Sequence, residues 1–372
     1  MYLESLSLKH FRSYDILQTS FSPKSNLILG KNGAGKSNIL EAVYLLSTSK
    51  SFRNTIDQRM VKWGEDGFHV TGKFSTENGR RDISIVYSGG SKSLEMDGLK
   101  ESRISNIIGV VYCVLFSFED IHIVTGPPVV RRSYLDLILS STDPLYFRNL
   151  KTYVSVIRQK NRYLKENRKI DEDILYAWNE QLVLAGSYLI SKRDALIGYM
   201  NSCISCSIES LGENLIFPFQ LSYRTNVARG ESVREPEQSY RSTLEERIDK
   251  EIQFQSSLYG PHRDDFSFIE KMHEIRYFGS VGEARLATIL LKLAQGEFYR
   301  KEKGIMPILL MDDILLELDT KNAERILTLF PSTGQKIITT TERQKLPEIF
   351  SCDRLFNINK KCNDSVLHFS DN

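Results

Sequence analysis

Over the first hundred residues, apolar and polar positions change places every second residue or in short blocks, the spacing of strands with one buried face. Leu6 and Leu8 alternate with Ser5, Ser7 and Lys9. Residues 26–29 form a short apolar run, and Ile83, Ile85 and Tyr87 alternate again before the turn pairs Gly89-Gly90 and Asp97-Gly98. One helix interrupts this pattern, with Ile39, Leu40, Val43 and Leu46 on a single face directly after a glycine-rich stretch. The apolar block 107–118 is too short to span a bilayer and predicts a buried strand.

From about residue 131 to 211 the period becomes helical. Tyr146, Leu150, Tyr153, Ile157 and Leu164 fall on one stripe, and Ile174, Trp178, Leu182, Ala185 and Leu189 on another, so two or more long helices pack as a bundle or hairpin. Segment 224–243 is polar, contains Gly230 and Pro236, and reads as a surface loop. Strands return around Phe266. A helix over about 281–299, an apolar strand at 308–311, a helix over about 320–330 and a final core strand at 336–339 complete the pattern.

Composition narrows this picture only a little. With 41% hydrophobic and 26% charged residues the chain is neither disordered nor fibrous, and 372 residues suffice for two or three domains. A net charge of +2 permits a nucleic-acid partner without announcing one. Cysteines 113, 203, 206, 352 and 362 form no even disulfide framework. Cys203 and Cys206 have no second pair at metal-ligand spacing and no strand leading into them, so reduced structural thiols are expected. The N-terminus lacks the apolar core of a signal peptide, and the chain reads as soluble and cytoplasmic.

The chemistry concentrates in Gly30-Lys31-Asn32-Gly33-Ala34-Gly35-Lys36-Ser37, a strand-to-helix loop that satisfies G-x-x-x-x-G-K-[ST]. Its glycines let successive N–H groups curl inward, and the following helix adds its positive end. Lys36 then reaches the β- and γ-phosphates of ATP, while the Ser37 hydroxyl ligates Mg2+. The apolar strand 308–311 runs into Asp312 and Asp313, placing carboxylates at the sheet edge where phosphates sit. Asp312 is expected to hold the metal through water and Asp313 to accept a proton from the attacking water. Lys36 and Asp313 are the catalytic candidates. Lys36 and Asp312 stand 276 positions apart, so a whole domain is inserted between two halves of one site.

That arrangement resembles ABC-type ATPase heads of DNA-repair and chromosome proteins. The ordered set Leu8-Lys9-His10-Phe11-Arg12-Ser13-Tyr14, Phe116-Ser117-Phe118-Glu119-Asp120, Arg131-Arg132-Ser133-Tyr134-Leu135-Asp136, Tyr259-Gly260-Pro261-His262-Arg263-Asp264-Asp265 and Asp312-Asp313-Ile314-Leu315-Leu316-Glu317-Leu318-Asp319 resembles the RecF family over essentially the full length. The resemblance implies an α/β fold: an ABC-type P-loop ATPase head (1–125 and 256–372) with an inserted, mainly helical second domain (126–255). It implies ATP-dependent DNA binding in replication, recombinational repair and SOS induction, on single-stranded, gapped or junction DNA. It also implies help in loading recombinase, RecR and RecO type mediators, slow hydrolysis and an ATP-driven homodimer. An ATP-gated DNA-binding module without significant hydrolysis is the alternative.

Departures from the family pattern bear on the far side of the phosphate. The ABC signature usually reads Ser-x-Gly-Gln-x-Arg, and here it is Ser280-Val281-Gly282-Glu283-Ala284-Arg285. Ser280 and Gly282 remain as phosphate contacts, Val281 replaces a usual polar residue, and Glu283 adds negative charge unless it points away. Phe118 replaces a usual proline and Leu316 a usual serine. His262-Arg263-Asp264 is not a kinase catalytic loop, because Ile269 stands where that loop needs Asn.

Arg158, Lys160, Arg162, Lys165, Arg168 and Lys169 cluster against one acid, Glu166, and for DNA Arg158, Arg162, Lys165 and Lys169 fall at i, i+4, i+7 and i+11, one basic helix face. Such a face neutralises phosphates without reading bases. A solvated helix face is the plain alternative, and Arg131 and Arg132 are the next basic pair to consider.

Overall fold

The computed structural model describes residues 1–53, 55–77, 79–167, 169–211, 218–227, 236–313, 327–341, 352–361 and 364–370. Strands β1 (Tyr2–Phe11), β2 (Tyr14–Ser20) and β3 (Ser25–Gly30) lead into helix α1 (Lys36–Thr48). Strands β4 (Gly67–Thr76), β5 (Gly79–Ser88), β6 (Ser91–Met96), β7 (Leu99–Lys100) and β8 (Cys113–Phe116) follow. Next come helices α2 (His122–Thr125), α3 (Pro128–Thr142), α4 (Pro144–Glu166) and α5 (Glu172–Leu211), then β9 (Gln220–Arg224), α6 (Pro236–Glu246) and α7 (Ile248–Phe254). The chain closes with β10 (Asp265–Glu270), β11 (His273–Glu274), α8 (Ile275–Phe278), α9 (Val281–Lys303), β12 (Ile308–Asp312), β13 (Lys336–Thr340), β14 (Arg354–Lys361) and β15 (Asp364–Ser370).

Two compact units result, one of Met1–Asp120, Glu209–Ile216 and Ile289–Asn372, the other of Ile121–Ile208 and Phe217–Thr288. The first contains two sheets. One is antiparallel, in the order β2-β1-β4-β5-β6-β7. The other, in the order β15-β14-β3-β13-β12-β8, is parallel except for its edge strand β15. Helix α1 lies in the core shared by the two sheets, which explains why Ala42 and Leu45 are buried along with the expected Ile39, Leu40, Val43 and Leu46. A one-faced stripe suits a surface helix; a helix covered from both sides is apolar most of the way round. Each such side chain contributes roughly 1.5–3 kcal/mol by leaving water.

In the second unit, α4 and α5 are the two long helices that the stripes predict. Asp143 caps α4 by accepting from the N–H groups of Leu145 and Tyr146. The sheet β11-β10-β9 completes this unit, and an ion-pair network ties β10 to α3 and α5. Arg131 donates from Nε to one oxygen of Asp265 (2.6 Å) and from its terminal nitrogen to the other (2.9 Å), while Arg193 donates to Asp136 at 2.8 Å. The Tyr223 hydroxyl donates to Asp264. These contacts hold 256–288 in the second unit, so that unit extends past the boundary at 255 expected from sequence.

Three local expectations change. Of the block 107–118, only β8 is strand; its first residue closes a 3-10 turn at Ile104–Ile107. The polar segment 224–243 contains the start of α6, whose Tyr240 and Leu244 are buried four residues apart. Two strands follow β13, so the strand at 336–339 is not the last. The helix expected over 320–330 lies almost wholly outside the described residues, as do Leu316 and Asp319. No helix among the described residues is long and apolar enough to cross a membrane.

Candidate nucleotide-binding site

Sheet order brings the two distant halves of the site together. The loop strand β3 and the acid strand β12 flank β13, and all three run parallel, so their C-terminal ends open on one edge. Near the end of strand β13, Thr339 sits between them. The Ser37 hydroxyl donates to Asp312 Oδ1 at 2.7 Å, and Thr339 Oγ1 donates to the same oxygen at 2.8 Å. Thr339 Oγ1 also accepts the Asp313 N–H at 3.1 Å. A single threonine thus orients both acids. The sequence marked its strand as core but not this hydroxyl.

Within the loop, Gly33 and Gly35 have φ of 75° and 109°, the left-handed region that a side chain disfavours. A Cβ on Gly35 would also lie 2.5 Å from Ser365 Oγ and 2.9 Å from Ser13 Oγ. Tyr14 donates to the Gly35 carbonyl at 3.1 Å, and Asn38 Nδ2 donates to Ser13 Oγ at 2.8 Å. The β1–β2 turn is fastened to α1 by Arg12, which grips the fully buried Glu41 with two hydrogen bonds of 2.9 and 2.5 Å. Arg12, Ser13, Tyr14 and Ser365 therefore brace the loop, a role that only their tertiary placement reveals.

Lys36, 4% exposed, points its ammonium back across the loop, donating to the Gly30 carbonyl at 2.9 Å and standing 3.6 Å from Asp313 Oδ2. Asp313 has φ of 50°, a conformation uncommon for a residue with a side chain and concentrated at functional sites. Its other carboxylate oxygen, Oδ1, is buried and makes no hydrogen bond among the described residues. Burial pushes the Asp313 pKa above its ordinary value, the Asp312 charge adds to the rise, and Lys36 opposes it. A carboxylate with raised basicity suits a group that takes a proton. The inward loop, the Ser37–Asp312 pair and this oxygen together fit a magnesium triphosphate.

The signature lies in the second unit, at the start of α9. Ser280 Oγ accepts the Glu283 N–H at 3.2 Å, and a Glu283 oxygen accepts the Ser280 N–H at 2.6 Å. This is a capping box. Glu283 is folded onto the end of its own helix.

A family model described as the RecF/RecN/SMC N terminal domain matches residues 2–364. The DNA replication and repair protein RecF of Latilactobacillus sakei subsp. sakei (strain 23K) is 32% identical over 365 residues, covering 96% of this chain and 97% of that protein. The chain belongs to the RecF family. The RecF protein of Moorella thermoacetica is 35% identical over 350 residues, covering 93% of this chain and 91% of its own. A solved structure of the recombination mediator RecF with ATP, in the RecFOR pathway, superposes with a TM-score of 0.90 at 28% identity, covering 100% of this chain and 98% of that one. An Smc head bound to the C-terminal winged-helix domain of ScpA, at 17% identity and a TM-score of 0.55, shares the fold. The fold is thus α/β, an ABC-type ATPase head with a helical insertion.

On the basic face of this RecF-family chain, Arg158, Arg162 and Lys165 are exposed on α4, with Arg162 paired to Glu166 at 2.9 Å. They border a groove of about 520 Å³ floored by Val154, Ile157 and Asn161. Two cations expected near this face belong elsewhere. Lys160 is fully buried and donates to Glu251 at 2.5 Å and Asn179 at 2.6 Å, and Lys169 lies beyond the end of α4 at Glu166, off the helical face. Arg168 lies outside the described residues. Arg131, 3% exposed, is engaged with Asp265, and the half-buried Arg132 donates to the Asp264 carbonyl at 2.8 Å. Cys203 and Cys206 lie on α5 and form no disulfide among the described residues.

Proposed function

We propose that this chain is an ATP-dependent DNA-binding protein of replication, recombinational repair and SOS induction, acting in the cytoplasm. It binds single-stranded, gapped or junction DNA and helps load recombinase together with RecR and RecO type mediators. The observation that carries the nucleotide part is the convergence of Lys36, Ser37, Asp312 and Asp313 around Thr339. The repair context rests on family membership, and the DNA surface on the exposed cations of α4.

In this reading the loop amides of 31–35 and the Lys36 ammonium bind and orient the β- and γ-phosphates. Lys36 exchanges its contact with the Gly30 carbonyl for phosphate oxygens. Ser37 and Asp312 would hold Mg2+, which supplies positive charge to the phosphate oxygens when bound. Asp313 takes the proton of the attacking water at Oδ1. Ser280 and the Gly282 N–H of a second copy reach the γ-phosphate, so ATP draws two copies together. A module that binds ATP and DNA with negligible hydrolysis is the second reading, favoured by the Glu283 carboxylate beside Ser280.

Phosphate release measured with single-stranded, gapped and duplex DNA separates the two. DNA-stimulated release abolished by Asp313→Asn supports a slow ATPase. ATP-dependent DNA binding without release supports the module, and loss of neither ATP nor DNA binding in Lys36→Ala would overturn both.

A further inference from the structure

The pairing that closes the β1–β2 hairpin sets two metal-ligating side chains side by side. Lys9 pairs with Ile16 and Phe11 with Tyr14, so His10 stands opposite Asp15. The segment after Met60 runs along the other edge of β1. There the Arg12 N–H donates to the Met60 carbonyl and the Lys62 N–H to the His10 carbonyl, each at 2.8 Å. That segment turns back through Gly64, at φ of 89°, and brings Glu65 to the same place. His10 Nδ1 lies 3.0 Å from Asp15 Oδ1 and 3.7 Å from Glu65 Oε1. It is buried and makes no hydrogen bond among the described residues, so no hydrogen bond accounts for the close approach. Among the described residues, these three side chains are the one such group whose ligand atoms all lie within 4.8 Å of one another. His10 itself has φ of 52°, a conformation uncommon outside turns and functional sites.

We propose that His10, Asp15 and Glu65 form a binding site for a divalent transition-metal ion, with zinc the ion the ligands suit best. The site is separate from the nucleotide pocket and does not depend on ATP. Ligand type selects the class of ion. An imidazole nitrogen with two carboxylates suits zinc and its neighbours, whereas magnesium and calcium take oxygen ligands throughout. Spacing agrees. Zinc bonds of about 2.0–2.2 Å in a tetrahedral arrangement put ligand atoms roughly 3.3–3.6 Å apart, and the separations of 3.0 and 3.7 Å straddle that range. Three protein ligands leave the fourth position to water. With His10 neutral, its Nδ1 lone pair faces only carboxylate oxygens, and a cation set among them satisfies all three groups. Lys62 Nζ stands 3.4 Å from the same Asp15 oxygen, so it is the group that the ion displaces. The ion joins the 62–65 turn to the hairpin carrying Arg12, Ser13 and Tyr14, the residues that brace the phosphate loop.

The test uses the untagged full chain, stripped with chelator and kept in MgCl2. ZnCl2 is titrated by calorimetry and CoCl2 by visible absorption, and Trp63, 98% exposed in the 62–65 turn, reports ordering of that turn by its fluorescence. His10→Asn and the half-exposed Glu65→Gln are compared with wild type, and thermal melting without metal confirms that each is folded. The expected result is a zinc-bound wild type with a raised melting temperature, and cobalt d–d bands without a thiolate charge-transfer band. Each variant should weaken zinc roughly 10-fold or more, at least the effect of losing an outer-shell partner. Lys62→Ala should tighten it several-fold by removing the competing ammonium. A wild type that takes up neither zinc nor cobalt, or variants that bind both like wild type, would overturn the site. Binding lost in Cys203→Ser but kept in His10→Asn would place the ion on the thiols of α5 and overturn it equally.

Discussion

Replacing Glu283 by Gln separates two consequences of one carboxylate. At present a Glu283 oxygen accepts the Ser280 N–H at 2.6 Å and completes the capping box of α9. Gln keeps an acceptor oxygen at the same reach but loses the charge. A neutral hydrogen bond is roughly half as strong as a charge-assisted one, and an acid in the first turn of a helix is worth about 0.3–1 kcal/mol. Thermal stability should therefore fall slightly. The γ-phosphate of a second copy gains instead. A carboxylate and a phosphate charge ~4 Å apart repel by about 1 kcal/mol even at the dielectric of bulk water. A symmetric dimer has two such sites, so about 2 kcal/mol is released, roughly 30-fold in dimer affinity. Sedimentation velocity across an ATP titration measures this directly, with Glu283→Ala as the variant that also lacks the cap. A Gln variant that melts lower yet dimerises no better than wild type would refute the reasoning, because Glu283 would then not face the phosphate.

Other perturbations test separate parts of the structure. Thr339→Val leaves a 2%-exposed side chain of similar size but removes the bonds to both acids; stability should drop by about 1–3 kcal/mol and affinity for Mg-ATP roughly tenfold, and equal Mg-ATP titrations of the two proteins would reject its orienting role. Burial lowers the His262 pKa from 6.5 to about 4, so its neutral form is favoured in the fold. Its stability contribution is present above pH 6.5 and is lost as pH falls toward 4. Unfolding free energy should fall by about 2 kcal/mol between pH 7 and pH 5; denaturant curves showing the same fall in His262→Gln would assign the loss to another group. Charge reversal of Arg158, Arg162 and Lys165 should weaken DNA binding and flatten its salt dependence by about 0.9 per lost phosphate contact, and a binding isotherm series with unchanged slope would move the DNA surface off α4.

The sequence by itself determined the phosphate loop, since Gly30 to Ser37 is a local backbone device whose parts are contiguous. It likewise determined α4 and α5, because long stripes with a helical period leave little choice of conformation. It was weaker where a local pattern has more than one tertiary use. Lys160 belongs to a run of cations and is nevertheless buried against Glu251, ninety-one positions away. Only packing against α7 selects it from its neighbours. Tyr240 and Leu244 were too short a signal to distinguish α6 from a polar loop.

The candidate site divides in the same way. Lys36, Ser37, Asp312 and Asp313 were visible as motifs, but that the acids reach the serine depends on sheet order, with β13 inserted between β3 and β12. Order across a parallel sheet is set by non-local pairing, which no local period encodes. Thr339 acquires its role only from that pairing, and Arg12 and Ser365 acquire theirs from contacts with α1 and the β1–β2 turn. Glu283 shows the reverse: its residue type signalled unwelcome charge, and the fold shows that charge turned onto its own helix end as a cap, where orphan N–H groups stabilise it.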